Sequence, residues 1–400
     1  MSATDEGHPA MRRTTTAVSA LLAAAAVLST AVPALAAPSS VAARPVAARD
    51  GLQRALDAAV AAGIPGAVAE VRDESGVWRG SSGVTALDGG RAARGDERFR
   101  AGSVTKSFVA TVVLQLVAEG ELGLDDDIER HLPGLVPDGG HITVRQLLNH
   151  TSGLADYFKV LLPDLKALPT LQKATYTPRE LVALAVKAGE ERKGPKPVPG
   201  RTWDYSNTNY VVLGLLVEKV TGRSLGSEIT RRLIRPLHLT GTSFPDSARL
   251  TGRHLNGYER LGAAPGAGPF VDFTAFNPST IWAAGTLIST THDLNRFYRA
   301  LLGGELLPQN LLREMRTMQP MGDDRPGRAY GLGLEENWNL CAADGPVVGH
   351  TGSVAGYNTF SVTTADGKRQ ITLALSTDFT KTPEADKAAN RVLITALCRS

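Results

Sequence analysis

The sequence is poor in cysteine and in clustered charge. It has two cysteines, Cys341 and Cys398, and neither has a histidine at metal-ligand spacing, which argues against a zinc site. The 43 basic and 40 acidic residues give a formal net charge of +3, and the basic residues are scattered along the chain. This distribution excludes the dense positive patch on which a nucleic-acid binder depends.

Long apolar runs are absent beyond the N-terminus, where no stretch approaches the roughly 18 apolar residues of a membrane-spanning helix. At the N-terminus, Arg12 and Arg13 precede an apolar, alanine-rich run, and Ala34-Leu-Ala36 offers a small-residue cleavage site. This order is typical of a secretory signal peptide over residues 1–36. We therefore expect a secreted protein, without a stable membrane anchor after cleavage.

The rest of the chain is long enough for one large domain. Residues 37–48 are rich in Ala, Pro and Ser and predict a flexible linker. Residues 49–400 form the folded part, with mostly helix and loop from roughly 124 to 280. Short strands are predicted near both ends, at Gly66–Val71, Val84–Ala86, Tyr330–Leu334, Val347–Thr351, Tyr357–Thr363 and Gln370–Ser376. This pattern predicts an α/β (α+β) fold: an antiparallel sheet from both chain ends, flanked by helices, with an inserted mostly helical lobe.

The two cysteines favour a disulfide in an exported chain. Two free thiols are the less common state outside the cytosol, so we expect Cys341 to pair with Cys398. The loop closed by this bond would be long. In the entropic model it would stabilise the fold by roughly 3–4 kcal/mol.

The segment around Ser103 holds the only Ser-x-x-Lys of the chain. An apolar segment follows it, with the length of a buried helix, and ends at Glu119-Gly120. If the helix starts at or just after Ser103, Lys106 lies one turn on, on the same face. A lysine in a dry site can lose its charge and take the serine proton. The alternative is an N-capping serine beside a solvated lysine, which is the commoner explanation of an isolated Ser-x-x-Lys.

Two further motifs follow in the chain. Tyr205-Ser-Asn207 precedes an apolar helical segment, and His350-Thr-Gly352 lies in a predicted strand. Each is weak by itself, since a Tyr-Ser-Asn is commonly a turn and a His-Thr-Gly a strand end. Their order after the Ser103 motif, in helix, loop and strand contexts, favours a catalytic set. We expect His150, in contrast, to be a structural hydrogen-bonding residue.

Together the three motifs resemble those of the serine β-lactamase and penicillin-binding protein superfamily. Their Tyr-x-Asn and His-Thr-Gly versions are similar to the class C β-lactamase-like branch, and within it to the secreted D-alanyl-D-alanine carboxypeptidases/transpeptidases. The likeness covers nearly all of residues 50–400 and includes the placing of the cysteines. It is carried by the segments Ala101–Phe108, Leu132–Leu135, Ile142–Gln146, Tyr205–Asn209, Tyr330–Leu334 and Gly349–Gly352.

The resemblance implies a β-lactamase/transpeptidase-like fold and an acyl-enzyme formed on Ser103, without a cofactor or a metal. Lys106 and Tyr205 would share the proton transfer, with the phenolate favoured by positive charge on Lys106 and His350. The backbone N–H groups of Ser103 and Ser353 would form the oxyanion hole, and Trp282 an aromatic wall of the cleft. The implied substrate-binding residues are Asn207, Trp282, His350, Thr351, Gly352 and Ser353.

One position departs from the carboxypeptidase pattern. Those enzymes have an arginine after the Gly-Leu-Gly-Leu strand, where it helps to hold the terminal carboxylate of the substrate. This chain has Glu335-Glu-Asn337 there, and like charges repel. Anchoring of the carboxylate would then fall to His350, Thr351 and Ser353, or the true substrate lacks that group.

Three functions follow from these observations. The first is an exported D-alanyl-D-alanine carboxypeptidase/transpeptidase that acts on peptidoglycan-type peptides, is inhibited by β-lactams and is monomeric. The alternative is a class C-type β-lactamase, an esterase or a D-aminopeptidase of the same fold. The third is a non-catalytic penicillin-binding module. The complete set of Ser103, Lys106 and Tyr205 argues against this third function, because a binder needs no proton-transfer groups.

Overall fold

The computed structural model of the protein describes residues 43–194, 196–262, 264–341 and 343–399. The predicted signal peptide, residues 1–36, lies outside them. The first helix, Ala43–Ala61, begins inside the segment predicted as a linker. Its start is rich in the helix formers Ala and Arg, and a proline is tolerated in the first turn of a helix. No helix in the described part of the chain combines the length and apolar composition needed to cross a bilayer.

Most of the strands lie near the two ends of the described chain, and most of its middle is helical. The strands are β1 (Gly66–Asp73), β2 (Gly76–Gly83), β3 (Phe99–Arg100), β4 (Tyr258–Arg260), β5 (Phe270–Asp272), β6 (Ile288–Ser289), β7 (Gln319–Pro320), β8 (Arg328–Tyr330), β9 (Glu335–Asn337), β10 (Val347–Val354), β11 (Tyr357–Thr364) and β12 (Gln370–Leu375). The helices are α1 (Ala43–Ala61), α2 (Thr105–Ala118), α3 (Val144–Leu148), α4 (Tyr157–Leu161), α5 (Leu168–Leu171), α6 (Pro178–Glu190), α7 (Asn207–Thr221), α8 (Leu225–Ile229), α9 (Trp282–Gly285), α10 (Thr291–Leu302), α11 (Gln309–Met315) and α12 (Pro383–Leu397).

An eight-stranded antiparallel sheet joins the two ends of the chain. Its strand order is β2-β1-β12-β11-β10-β9-β8-β7, so the N-terminal hairpin pairs with the last strand. Helices α3 to α8 lie between β3 and β6, in the middle of the chain. The predicted fold class, a sheet from both ends with an inserted helical lobe, is therefore confirmed.

Both faces of the centre of the sheet are buried. In β1, Ala67, Ala69 and Val71 contribute to the apolar cluster that includes α1 and α12, whereas Val68 contributes to the main core. Successive side chains of a strand point to opposite faces, so helices must cover each face of the sheet. Helix α10, which contacts β1, β11 and β12, lies on the main-core side.

Two of the predicted strands are placed differently in the structure. Strand β2 occupies Gly76–Gly83, where small and polar residues conceal the strand pattern, and Val84 makes only an isolated bridge. Most of the segment Tyr330–Leu334 is a turn between β8 and β9 rather than a strand. Gly333 has a φ of 81°, and a Cβ atom there would lie 2.4 Å from Cβ of Ala110. Gly333 thus lets the turn pack closely against α2, and Gly331 lets it pack against Met315 at the end of α11.

Helix α2 lies at the centre of the main core. Almost all of its residues are buried, including the polar Lys106, Ser107 and Thr111, which is typical of a helix surrounded by protein. It contacts α7, α8 and α9. The helix begins at Thr105, after a 3₁₀ turn over Gly102–Val104 that contains Ser103. It ends at Glu119 and Gly120, as the sequence predicts, with Gly120 at a φ of 77°.

Cys341 and Cys398 form a disulfide with a Cα–Cα distance of 5.3 Å. The bond connects the segment that follows β9 to the end of α12, across a sequence separation of 57 residues. Closure of a loop of this length stabilises the native state by about 4 kcal/mol in the entropic model.

Candidate active site

Ser103 lies where the start of α2 touches strand β10. Two glycines allow this contact. Gly102 has a φ of 54°, and a Cβ atom on it would lie 2.7 Å from the backbone nitrogen of Ser353. A Cβ atom on Gly352 would lie 2.0 Å from the carbonyl oxygen of Ala101. Larger side chains at these positions would push the serine turn away from the strand.

Lys106 is fully buried and has three polar partners. Its Nζ lies 2.8 Å from Oδ1 of Asn207, 2.7 Å from the carbonyl oxygen of Ala284 and 3.0 Å from Oγ of Ser103. The two carbonyl-type oxygens can only accept hydrogen bonds. A neutral amine therefore keeps its two N–H groups on them and directs its lone pair at the hydroxyl of Ser103, as a general base requires.

Burial lowers the pKa of Lys106 to about 7. The negative charges of Asp156 and Glu335 act in the opposite direction and raise this pKa, but burial outweighs them. A substantial fraction of the lysine is therefore neutral at physiological pH. This is the protonation state in which Lys106 can accept the proton of Ser103.

Tyr205 contacts the nucleophile from a second direction. Its hydroxyl donates a hydrogen bond to Oγ of Ser103 at 3.0 Å. Burial raises the pKa of Tyr205 well above its ordinary value, and the negative charge of Glu335 raises it further. The phenolate expected from the sequence is thus wrong for the free protein. Burial thus leaves Lys106 as the group that can accept the proton of Ser103, and Tyr205 as a phenol that keeps its own proton.

Asn207 is held between Lys106 and a residue that the sequence did not single out. Asp156 accepts hydrogen bonds from the backbone N–H of Asn207 at 3.2 Å and from its Nδ2 at 3.1 Å. Burial raises the pKa of Asp156. Asp156 also caps α4, where its side chain accepts from the N–H of Phe158. In the sequence, Asp156 can be recognised only as the residue that caps α4, and a capping position does not predict the contact with Asn207.

His150 packs against the ring of Tyr205 and is hydrogen-bonded to Ser206 and Asn209. Its Nδ1 accepts from the backbone N–H of Ser206 at 3.2 Å and lies 3.0 Å from Nδ2 of Asn209. Its ring centroid lies 4.2 Å from that of Tyr205. Burial lowers the pKa of His150 well below its ordinary value. A neutral, packed histidine agrees with the structural role expected from the sequence.

His350 is buried and neutral. Its Nδ1 lies 2.5 Å from the carbonyl oxygen of Thr351, which can only accept, so we assign the ring proton to Nδ1. Its Nε2 then accepts from the hydroxyl of Tyr330 at 2.8 Å. Burial lowers the pKa of His350 in spite of the nearby carboxylate of Glu335. The expectation that His350 adds positive charge to the site is therefore wrong.

Glu335 occupies the place where the carboxypeptidase pattern has an arginine. Its carboxylate accepts from Oγ1 of Thr351 at 3.0 Å and from the backbone N–H of Thr351 at 3.3 Å. Arg328, from the neighbouring strand β8, donates to it at 3.0 Å. The threonine hydroxyl expected to hold a substrate carboxylate is thus engaged by a protein carboxylate.

Ser353 and Trp282 are the two remaining residues that the sequence assigns to substrate binding. The hydroxyl of Ser353 is exposed and donates to the carboxylate of Asp378. Trp282 opens α9, two residues before Ala284, and the far edge of its ring packs against Gly214 in α7. The role of Trp282 as a wall of the cleft stays a prediction.

The geometry defines a serine acyl-transfer site. A serine hydroxyl has a general base at 3.0 Å and a phenol donor at 3.0 Å, the arrangement of an activated nucleophile. The three sequence motifs around Ser103, Tyr205 and His350 meet here, although they come from α2, the helical lobe and the C-terminal half of the sheet. The protein is therefore a hydrolase of the serine β-lactamase and penicillin-binding protein type.

Comparison with known proteins agrees with this class. The family model described as Beta-lactamase matches residues 52–397, so the chain belongs to the serine β-lactamase/penicillin-binding protein superfamily. Penicillin-binding protein 4 of Amycolatopsis lactamdurans is 30% identical over 73% of this chain and 76% of its own length. The chain spans about half the length of other curated relatives, such as Protein flp of Staphylococcus aureus, which is 26% identical over 66% of this chain and 49% of its own.

Solved structures of amide hydrolases are similar along most of the chain. A D-stereospecific amidohydrolase from Streptomyces sp. is 39% identical, with a TM-score of 0.75 over 87% of this chain and 98% of the other. A D-amino acid amidase from Ochrobactrum anthropi is 26% identical, with the same TM-score and coverage. A penicillin-binding protein homologue from Pyrococcus abyssi is 25% identical, with a TM-score of 0.71 over 86% and 76%. That homologue is octameric, so these relatives give no support to the expected monomer.

The pKa of Lys106 sets a testable pH dependence. We expect kcat/KM for 4-nitrophenyl acetate to rise with pH through about 7, because the neutral amine is the reactive form. Lys106→Arg keeps its charge at every pH and should lower the rate by at least about 100-fold. Ser103→Ala provides the background rate. A profile that is flat between pH 6 and 8, or that rises only where a solvated lysine titrates, would contradict the assignment of Lys106 as the base.

Proposed function

We propose that this protein is a D-stereospecific amidohydrolase, which cleaves amides of D-amino acids that carry a free α-amino group. One observation carries the proposal: the carboxylate of Glu335 accepts from Oγ1 and from the backbone N–H of Thr351, where the terminal carboxylate of a peptide was expected to bind. An α-ammonium group in the cleft meets opposite charge, whereas the terminal carboxylate of a peptide meets like charge. The site is therefore better suited to an amine-bearing substrate than to a carboxylate-bearing one.

The reaction proceeds through two acyl transfers. Oγ of Ser103 attacks the amide carbonyl carbon while its proton passes to Nζ of Lys106. The intermediate oxygen lies at the backbone N–H groups of Ser103 and Ser353, where its charge is stabilised. Collapse breaks the carbon–nitrogen bond, and the leaving amine takes the proton from Lys106 through the hydroxyl of Tyr205. Water then attacks the ester, its proton returns to Ser103, and the D-amino acid is released.

The relatives support this choice of substrate class. The Streptomyces structure described as a D-stereospecific amidohydrolase is 39% identical to this chain, and the similarity extends over 98% of the length of that protein. The Ochrobactrum relative is a D-amino acid amidase. Both are compatible with a cleft that selects the D configuration next to the scissile carbonyl.

A D-alanyl-D-alanine carboxypeptidase/transpeptidase is the second candidate function. It is favoured by the 30% identity to Penicillin-binding protein 4 of Amycolatopsis lactamdurans. On this alternative, the substrate is a peptidoglycan-type peptide and β-lactams acylate Ser103. The observation that counts against it is the carboxylate of Glu335 on Thr351, in the place expected to bind the terminal carboxylate.

We propose in addition that the protein is exported. The support is the order of an arginine pair, an apolar run and Ala34-Leu-Ala36 at the N-terminus, which is that of a signal peptide. Expression of the full chain in a secreting bacterium should yield a mature protein in the medium that begins near Ala37. Recovery of the uncleaved chain inside the cells alone would contradict export.

A substrate comparison tests the proposed activity. We expect ammonia release from D-phenylalanine amide to exceed that from L-phenylalanine amide and from N-acetyl-D-phenylalanine amide by at least about ten-fold. Diacyl-D-Ala-D-Ala and labelled penicillin are measured in parallel, with Ser103→Ala as the blank. Faster release of D-alanine from the peptide than of ammonia from the D-amide would establish the carboxypeptidase instead.

Substitution of Glu335 tests the electrostatic origin of the preference. Glu335→Gln removes the negative charge and leaves Arg328 without its carboxylate partner, beside Thr351. We expect kcat/KM for D-phenylalanine amide to fall by about five-fold or more, and that for diacyl-D-Ala-D-Ala to rise. Glu336→Gln is the matched control: it is the next residue of β9, on the other face, with its carboxylate bound to Nε1 of Trp338. Equal effects of both substitutions would refute the role of Glu335.

A further inference from the structure

The backbone N–H of Ser353 points toward the serine turn. In the same strand, the N–H of Thr351 donates to Glu335, away from β11. Backbone groups two residues apart in a strand point to the same side, so the N–H of Ser353 also points away from β11. On that side lies Gly102, whose added Cβ would be 2.7 Å from the nitrogen of Ser353. This donor is therefore next to Ser103.

The N–H of Ser353 belongs to the peptide group that joins Gly352 to Ser353. The carbonyl oxygen of this group is hydrogen-bonded to a network of buried side chains. The carbonyl oxygen of Gly352 accepts from Nδ2 of Asn358 at 3.1 Å. Oδ1 of Asn358 accepts in turn from Nζ of Lys381 at 2.6 Å. The C=O and N–H of a trans peptide point in opposite directions. Two hydrogen bonds thus connect the ammonium of Lys381 to the carbonyl oxygen of Gly352, and the N–H of Ser353 is the opposite end of the same peptide group.

Lys381 is a buried cation at the end of this chain. Its side chain is 8% exposed, and its Nζ also contacts carboxylate oxygens of Asp378 at 3.0 Å and Asp386 at 3.1 Å. The second oxygen of Asp378 accepts from the hydroxyl of Ser353. Lys381 and Asp378 therefore hold Ser353 and its peptide group from two positions.

Glu259 holds the loop that carries these two residues. Its buried carboxylate accepts backbone hydrogen bonds from Asp378 at 3.2 Å, Phe379 at 3.1 Å and Thr380 at 3.0 Å. It also accepts from the N–H of Gly356 at 2.8 Å, in the turn between β10 and β11. One carboxylate thus connects the loop to the hairpin that contains the Ser353 peptide group, and the network is rigidly placed.

We propose that Lys381 and Asn358 are positioning residues that orient and polarise the N–H of Ser353 for the oxyanion hole. Hydrogen bonds in series strengthen one another where the dielectric is low, and a cation at the far end makes the terminal N–H a better donor. The benefit is largest when negative charge develops on the substrate oxygen, so it lowers the barrier more than it tightens substrate binding. The inference rests on the proposed Ser103 acyl-enzyme chemistry but not on which amide is cleaved.

The hydrogen-bonded connection from Lys381 through Asn358 to the Gly352–Ser353 peptide group is called the relay below. Lys381→Met tests it because this substitution keeps the length of the side chain and removes the ammonium. The probes are 4-nitrophenyl acetate, for turnover, and phenylboronic acid, for formation of a tetrahedral adduct on Ser103. We expect kcat to fall by about ten-fold, a part of the effect of losing a whole oxyanion donor. The inhibition constant of phenylboronic acid should rise by the same factor, with KM changed by less than about two-fold.

The matched control is Lys368→Met. Lys368 lies in the turn between β11 and β12, has a side chain that is 58% exposed, and pairs with Glu74. The same charge is thus removed from an exposed turn that has no contact with Asn358 or Gly352, and kcat should not change. Lys381→Arg retains the charge and should restore most of the activity. Asn358→Asp cannot donate to Gly352 and should lower kcat at least as much as Lys381→Met.

Thermal unfolding of each variant separates this role from simple anchoring of the loop. If Lys381→Met and Asn358→Asp unfold at lower temperature but react at the wild-type rate per folded molecule, the relay is overturned. Equal losses in Lys381→Arg and Lys381→Met would overturn it as well, since only the latter removes the charge. If the wild-type protein reacts no faster than Ser103→Ala, the acyl-enzyme chemistry itself fails, and the relay falls with it.

Discussion

The burial of Lys106 against two carbonyl oxygens and one serine hydroxyl is the interaction on which the site depends. Loss of hydration lowers its pKa to about 7, and the fixed carbonyls of Asn207 and Ala284 decide where the lone pair points. Tyr205 loses hydration in the same pocket and keeps its proton. Burial thus separates a base from an acid within contact distance of one hydroxyl.

That burial requires three distant parts of the chain to meet. Helix α2 and the turn before it carry Lys106 and Ser103. The helical lobe carries Tyr205 and Asn207, and strand β10 carries residues 350–353. The close contact of Gly102 and Gly352 with their neighbours allows the helix start to dock on the strand. The sheet built from both chain ends then keeps β10 in place, because β10 is paired with β11 on one side and with β9 on the other.

The balance of charge around the nucleophile distinguishes this protein from the carboxypeptidase pattern. Arg328 donates to Glu335, and the same carboxylate accepts from Thr351. Asp156 is a second carboxylate, which accepts from Asn207. The proposed preference for an amine-bearing substrate rests on this placing of the carboxylates.

The sequence by itself determined the three motifs, the buried helix after Ser103 and the sheet from both ends, because apolar periodicity and local motif order are written along the chain. It misplaced β2, where small and polar residues conceal the strand pattern. It also predicted a strand over Tyr330–Leu334, where the chain turns at Gly333. It gave no sign of Asp156, Asn358 or Lys381, which reach their partners across long sequence separations. The protonation of Tyr205 and His350 was decided only by the tertiary structure, since a pKa depends on burial and on neighbouring charges that only the folded chain brings together.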